Sequence, residues 1–303
     1  MQYTANRMHK PTIDILMPTY EPQPEHLLRA IDSVFAQTEQ NWRLLIHDDA
    51  SKTDVRSAIA FYLRDPRITF QKSTQHKGIG GNWNACLRFV HAPFIQFLFQ
   101  DDLWTSSYLE RTVNIMSKEH DVSLLSVHHA YACERDIETA FNYQFVLQQK
   151  EKYLRPGRQD SHIFLIDWLR RGLFPNVIGE PSFVMLRKSL VEIVGDFRED
   201  FKQFLDIEYW VRCLQYTDWY YLTENLGTFR VHRKGTSFQN FQSGVGLTER
   251  SRCLWELYKT FPEKSEERHA IRCSLRPHFI RIVKQSIKWG VRTCTRIVSA
   301  KEK

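Results

Sequence analysis

The stretch FIQFLFQDDLW, residues 94–104, carries an apolar run suited to a central strand directly into two adjacent aspartates. Carboxylates side by side repel one another, and each costs several kcal/mol to take out of water unless a positive group meets it. The strand therefore ends where something cationic is expected, and Asp101 and Asp102 pose the question of what that partner is. Similar transitions recur upstream. IDILMPTYEP (13–22) is an apolar run that stops at Pro18, Thr19, Tyr20 and Glu21, and WRLLIHDD (42–49) ends at Asp48 and Asp49.

Between these runs lie helical periods. EHLLRAIDSVFAQT puts Leu27, Leu28, Ile31, Val34 and Phe35 on one face, NWNACLRFVHA precedes the 94–99 strand, and SYLERTVNIMSKE follows it. Strands and helices taking turns at these lengths predict an α/β, doubly wound, mostly parallel sheet flanked by helices. In such sheets ligands bind beyond the carboxyl ends of the strands, so the three polar clusters fall on one functional edge. An Asp after a strand is ordinarily a turn residue or a helix cap; three such clusters on one edge favour a site. Further on, 134–160 reads as an exposed connection, FLDIEYWVRCLQ as a helix with Leu205, Tyr209, Val211 and Leu214 inward, and WYYLTENLGTFRVH as a β-hairpin or paired strands turning at 225–227.

Bulk properties narrow the class. The 303 residues are 42% hydrophobic and 25% charged, ordinary for a globular protein. They contain no uninterrupted apolar stretch of the roughly 20 residues a membrane span needs, and the polar start MQYTANRMHKPT does not read as a signal peptide. Six scattered cysteines without a CxxC pair read as reduced packing thiols. The expected location is cytoplasmic. Residues 268–303 hold ten Lys or Arg against one Glu, so the overall net charge of +7 leaves the rest of the chain slightly acidic. A hard divalent cation, Mg²⁺ or Mn²⁺, suits Asp101 and Asp102, since such ions use one or two carboxylates and complete their shell with phosphate oxygens.

Several motifs in order now resemble the inverting family 2 glycosyltransferases of GT-A fold. LMPTYEPQPEHLLRAIDSVFAQTEQNWRLLIHDDAS is similar to that family's P-T-Y-N opening, its S-(I/V)-x-x-Q-T helix and its V-D-D-G-S strand end. HKGIGGNWNACL resembles the N-x-G-x-x-x-x-x-N segment, and QDD stands where the family has a D-x-D variant. GEPSFVMLRKSLVEIVGDF looks like the stretch before the catalytic helix, FLDIEYWVRC like E-D-x-D-x-W-x-R, and FRVHRKGTS like the closing R-x-H-x-x-x-x-S. The resemblance runs through most of 12–240 and implies a catalytic domain over 1–245 with a C-terminal helical, basic extension over 246–303.

It also implies roles. Pro18, Thr19, Tyr20 and Glu21 would hold base and ribose of the donor nucleotide, with Asn84 in the same binding set. Asp49 would accept from a uracil or thymine imide N–H, favouring a UDP- or dTDP-linked donor. Asp101 would sit near ribose or metal, Asp102 would be the principal metal ligand, and His232 would approach the metal or diphosphate. Asp206 would be the general base that takes the acceptor hydroxyl's proton; on residues alone, Asp206 followed by Glu208 equally suits a helix N-cap. Three positions depart from the pattern: Leu205 replaces an acidic residue, Trp83 a frequent Arg, and Ala50 a Gly. The second leaves diphosphate neutralisation to Lys77 or a C-terminal Arg.

The expected reaction is metal-dependent transfer of a sugar to a glycan or lipid-linked acceptor in surface polysaccharide assembly. A sugar-phosphate nucleotidyltransferase is the enzymatic rival, although the glycine-rich loop it wants after the first strand is not there, and GIGG (78–81) reads as a flexible loop. A non-enzymatic anionic-polymer binder would use the tail, but no nucleic-acid motif accompanies it. From Ile280 onward apolar and basic residues alternate with helical rhythm. That pattern fits either an amphipathic helix on the anionic inner face of a membrane or a helix packed on the domain.

Overall fold

The computed structural model describes residues 12–134 and 143–275. Strands β1 (Ile13–Thr19), β2 (Trp42–Asp48), β3 (Ile68–Lys72) and β4 (Phe94–Phe97) alternate with helices α1 (Pro24–Phe35), α2 (Val55–Ala58) and α3 (Gly78–Leu87). The chain continues through β5 (Leu103–Trp104), α4 (Tyr108–Lys118), β6 (Val122–Val127), β7 (Ala130–Cys133), α5 (Tyr143–Tyr153), β8 (Gly157–Gln159) and α6 (Ser161–Arg170). After it come β9 (Val184–Arg187), α7 (Lys188–Val194), α8 (Leu205–Cys213), β10 (Asp218–Leu222), β11 (Gly227–Val231), α9 (Thr236–Ser243) and α10 (Val245–Thr260).

Among the described residues the main sheet runs β3-β2-β1-β4-β9-β6-β10-β8, and a small sheet runs β5-β11-β7. Pairs β2·β3, β1·β2, β1·β4 and β6·β10 are parallel, whereas β9 is antiparallel to both neighbours. Every residue of β1 is buried, as a strand covered on both faces requires. Ile13, Ile15 and Met17 pack with Leu27, Ile31 and Val34 of α1 on one face, while Leu16 joins Trp83, Phe97 and the α6 and α8 side chains on the other. Cys253, Leu254, Ala270 and Ile271 belong to that second core, so the described part of the basic extension shares the core of the sheet domain.

The chain winds from β1 outward to β2 and β3, then returns to place β4 on the other side of β1. That reversal is a topological switch point, where ligands enter open sheets. Pro18 sharpens it. Pairing with β4 ends with the Leu98 amide donating to the Leu16 carbonyl, and Pro18, lacking an N–H, cannot extend the ladder. On its other side β1 stays paired with β2 as far as Thr19 and Asp48. The two central strands therefore part at their carboxyl ends.

Three sequence expectations are corrected. Residues 78–81 are the first turn of α3, not a loop: Gly80 lies so close to the 198–199 backbone that a Cβ would stand 2.5 Å from the Arg198 carbonyl oxygen. Residues 218–231 are not a hairpin, since β10 joins the main sheet and β11 the small one. The 134–160 connection contains α5 and β8. The amphipathic rhythm after Ile280 lies outside the described residues, and none of the described helices is long and apolar enough to cross a membrane.

Candidate active site

Loops at the carboxyl ends of β1, β2 and β4 interlock. The Gln100 amide clamps Tyr20, accepting from its N–H at 2.9 Å and donating to its carbonyl at 3.2 Å. Glu21, at φ +42, receives the Lys52 amide at 2.7 Å and the Thr53 hydroxyl at 3.1 Å, and its own N–H donates to Ser51 at 2.8 Å. Those donors pull the Glu21 carboxyl below its usual range, the Lys52 amide foremost. Thr19 is buried, and its hydroxyl donates to the His47 carbonyl. Ala50 sits at φ +60, in the left-handed region where a glycine is unstrained.

Asp49 is buried and accepts the Lys77 and Gly78 amides, each at 2.9 Å, with the His76 ring 2.9 Å away. It thus anchors the N-terminus of α3, where a carboxylate complements the helix dipole. His76 in turn stacks on Tyr20 at 4.1 Å, giving the crevice an aromatic wall. The Lys77 side chain is exposed beside it. Asn84 stands apart: its amide donates to the Phe197 carbonyl and the Glu199 carboxylate and accepts the Phe197 amide, which ties α3 to 197–199. The position expected among the nucleotide contacts is a packing tie. Asn82, two residues earlier and so on the other side of α3, faces the loops instead, bonding His47 at 2.7 Å and the Thr19 carbonyl at 3.1 Å.

The partner for the acidic doublet comes from β11. The His232 ring meets Asp101 Oδ2 at 2.8 Å, and its other nitrogen faces Gln23 Nε2 at 3.2 Å. Asp101 accepts and the Gln23 amine donates, so with the Gln23 amide in this orientation the imidazole carries its proton on Nε2. Arg230 donates its backbone N–H to Asp102 Oδ1 at 3.0 Å and its side chain to the Asp101 carbonyl at 3.2 Å. Asp102 is completely buried and its Oδ2 has no hydrogen-bond partner; burial first, then the Asp101 charge, push its carboxyl well above the ordinary range. Asp102, expected as the principal metal ligand, is sealed from the crevice, whereas the Asp101 side chain keeps 20% of its surface. Among the described residues no group of three His, Cys, Asp or Glu is arranged to hold a metal. One carboxylate and one imidazole do face the crevice together, with His26 packed edge-on to His232 at 5.3 Å and its Nδ1 unbonded. Asp101 suits a divalent ion that takes the rest of its shell from phosphate and water, and His232, whose two nitrogens are engaged by Asp101 and Gln23, would join it by exchanging one of those contacts.

Asp206 occupies the first turn of α8 without capping it. Glu249 of α10 holds the turn that leads into α8, its carboxylate accepting the Lys202, Gln203 and Phe204 amides at 2.7, 2.9 and 3.0 Å. Asp206 receives the Ile207 amide at 2.8 Å and the Asn176 amide at 3.0 Å. It keeps partial exposure, yet protein surrounds it on most sides, and burial pushes its carboxyl up to about 7, with Glu180 adding to the rise. Glu180 acts on Asp102 as well, so the doublet and the α8 carboxylate share one electrostatic neighbourhood. Gln23, Asn82, Asn176, Glu180 and Glu249 were not singled out from sequence. Gln23, Asn82 and Glu180 lie within motif stretches, whereas no local signal pointed to Asn176 or Glu249.

The family model for glycosyl transferase family 2 matches residues 14–178, more than half of the chain. The chain belongs to glycosyl transferase family 2. This family 2 glycosyltransferase is 36% identical over 109 residues to the UDP-Glc:alpha-D-GlcNAc-diphosphoundecaprenol beta-1,3-glucosyltransferase WfgD of Escherichia coli, covering 36% of the chain and 42% of that protein. It is 22% identical over 213 residues to an uncharacterised glycosyltransferase of Methanocaldococcus jannaschii, covering 69% and 67%. TarS 1–349 of S. aureus in complex with UDP-GlcNAc shares the fold at TM-score 0.65 and 14% identity, over 88% of this chain and 72% of that one. A Pyrobaculum calidifontis mannosyltransferase with GDP-Man and Mn²⁺ does so at 0.61 and 13%, over 88% and 70%. The glycosyltransferase spans 62, 42 and 20% of the length of three relatives, from Mycobacterium tuberculosis, E. coli and Sinorhizobium fredii.

Proposed function

We propose that this chain transfers a sugar, with inversion, from a nucleoside diphosphate donor held in the β1–β4 crevice to a hydroxyl of a glycan or lipid-linked acceptor. The observation that carries the reading is Asp206. It is a part-exposed carboxylate in the first turn of α8, with a proton affinity near neutrality, as a general base for a hydroxyl requires. The Tyr20–His76 wall and the Glu21 and Asp49 loops would receive the nucleotide, with Lys77 at the diphosphate; Asp49 retains lone pairs for a pyrimidine imide. UDP-linked donors are favoured by the WfgD name and by the UDP-GlcNAc complex of TarS.

Asp101 and His232, rather than Asp102, would hold Mg²⁺ or Mn²⁺, and the Mn²⁺ complex of the mannosyltransferase supports such an ion. When bound, it would neutralise charge growing on the departing diphosphate. Asp206 takes the acceptor proton while Asn176 fixes its Oδ2, and displacement at the anomeric carbon from the opposite face inverts it. Assembly of a surface polysaccharide at the inner face of a membrane is the setting that the WfgD lipid-linked substrate supports for this chain.

The test is a panel of nucleotide sugars with Mn²⁺, read as donor hydrolysis and transfer. Asp206→Asn should abolish turnover and leave UDP affinity intact. Parallel loss of nucleotide binding overturns the assignment.

A further inference from the structure

Behind Asp206 lie a buried histidine, a buried lysine and a part-exposed carboxylate that the proposed chemistry does not use. Glu180 Oε2 is 2.9 Å from His129 Nε2, and His129, stacked on Phe183 at 3.9 Å, directs Nδ1 at the Val127 carbonyl. Both ring nitrogens therefore face oxygens, although the Nε2–carboxylate contact lies outside hydrogen-bond geometry. Lys150 of α5 is completely buried with no hydrogen-bond partner for its ammonium, and burial lowers it to about 8 against the pull of Glu180. A buried lysine without a bond destabilises a fold, so its retention beside a carboxylate points to an electrostatic task.

The backbone links these charges to the base. Asn176, which bonds Asp206, also donates to the Gly179 carbonyl at 3.2 Å and accepts the Gly179 amide at 3.0 Å; Trp210 of α8 donates to that carbonyl at 3.0 Å. Gly179, at φ +118, has the His129 ring and the Lys150 ammonium 3.4 and 3.7 Å from where a Cβ would stand. The peptide carrying Glu180 is thus wedged between the group that holds Asp206 and the His129 ring and Lys150 ammonium on its other side.

We propose that Glu180 is a positioning residue for Asp206: held by His129 on one side and joined through Gly179 and Asn176 to Asp206 on the other, it sets a second carboxylate behind the base. The inference rests on the reading of Asp206 as the base. The titratable groups facing Glu180 are His129 and Tyr131 from the β6–β7 side, Lys150 and Tyr143 from α5, Asp102 from the β4–β5 turn and Asp206 from α8. Tyrosines stay neutral near pH 7, burial and Lys150 keep the His129 imidazole neutral there, and the His129 contact with the Lys150 charge holds Glu180 below the usual carboxylate range against burial. Glu180 therefore ionises first and remains charged while Asp206 titrates.

The test needs no substrate, so it separates failure of this inference from failure of the transferase reading. In full-length protein labelled at aspartate side-chain carboxyls, the Asp206 resonance is assigned by its loss in Asp206→Asn and followed from pH 4 to 9. Glu180→Gln, which keeps shape and removes charge, is expected to lower the Asp206 proton affinity about tenfold, one pKa unit. Glu180→Asp, which keeps charge and loses shape, should retain most of it. The opposite order, or no change on Glu180→Gln, overturns the proposal. Should Glu180→Gln not fold, wild-type protein labelled at glutamate carboxyls answers instead. The Glu180 resonance must show a second step at the Asp206 midpoint, and a single step overturns the proposal.

Discussion

Asp206→Asn should make the protein more stable, and only at high pH. Burial holds the folded-state carboxyl near 7, about three units above its value in an unfolded chain. A group whose folded pKa is raised keeps the folded state at full stability below the unfolded pKa and weakens it as pH climbs. The loss starts near pH 4, grows by about 1.4 kcal/mol per unit and levels off above about pH 7, at about 4 kcal/mol. Asparagine removes this charge penalty. It also turns an amine toward the Asn176 amine that now donates to Oδ2, a mismatch worth about 1–2 kcal/mol. The net expectation is a gain of about 2–3 kcal/mol at pH 8.5 and a loss of about 0.5–1 kcal/mol at pH 4.5. At about 2–4 °C per kcal/mol for a large domain, the melting temperature of the variant should exceed wild type by about 5–10 °C at the higher pH. Thermal unfolding of both proteins across pH 4.5–9, followed by circular dichroism, measures the difference directly. A difference that does not depend on pH would refute the claim that Asp206 is a desolvated carboxylate.

Transfer by the wild type should rise with pH through about 7, because the base acts ionised; a kcat/KM profile flat from pH 5.5 to 8 contradicts this. Asp101→Asn should weaken Mn²⁺-dependent UDP binding by at least about tenfold, about 1.4 kcal/mol, while Asp102→Asn leaves it within about threefold; calorimetry with and without chelator compares them. Glu249→Ala strips three amides at the start of α8 of their acceptor and should cost about 2–4 kcal/mol in urea unfolding, with Glu249→Gln milder. Ala50→Gly relieves a left-handed backbone worth about 1–2 kcal/mol against about 0.5–1 kcal/mol of added unfolded-state entropy, so it should be neutral or stabilising, where an ordinary Ala→Gly is not.

The sheet was legible because its strands are covered on both faces and so read as unbroken apolar runs, each stopped by polar residues at the functional edge. Residues 218–231 escaped for the same physical reason that makes hairpins easy to propose. Two strand-like runs with Asn and Gly between them satisfy the local rule, and only the tertiary choice of β6 for one and β7 for the other decides otherwise. Which carboxylate of the doublet faces solvent was likewise hidden. Adjacent residues point in different directions, and the direction is set by β11, more than a hundred residues on.

The departures from the family pattern gain meaning from packing. Leu205, standing where an acidic residue is usual, is buried in the α8 core, and Trp83, standing where Arg is frequent, stacks on Phe99 at 5.0 Å. Both substitutions exchange a polar group for apolar contact beside the crevice, which lowers the local dielectric and strengthens whatever charges remain. With Leu205 where an acidic residue is usual, Glu180 is a charge from outside α8 that adds to the rise burial gives Asp206. The sites that look weakened in sequence are thus the ones where the fold has to supply the electrostatics from elsewhere.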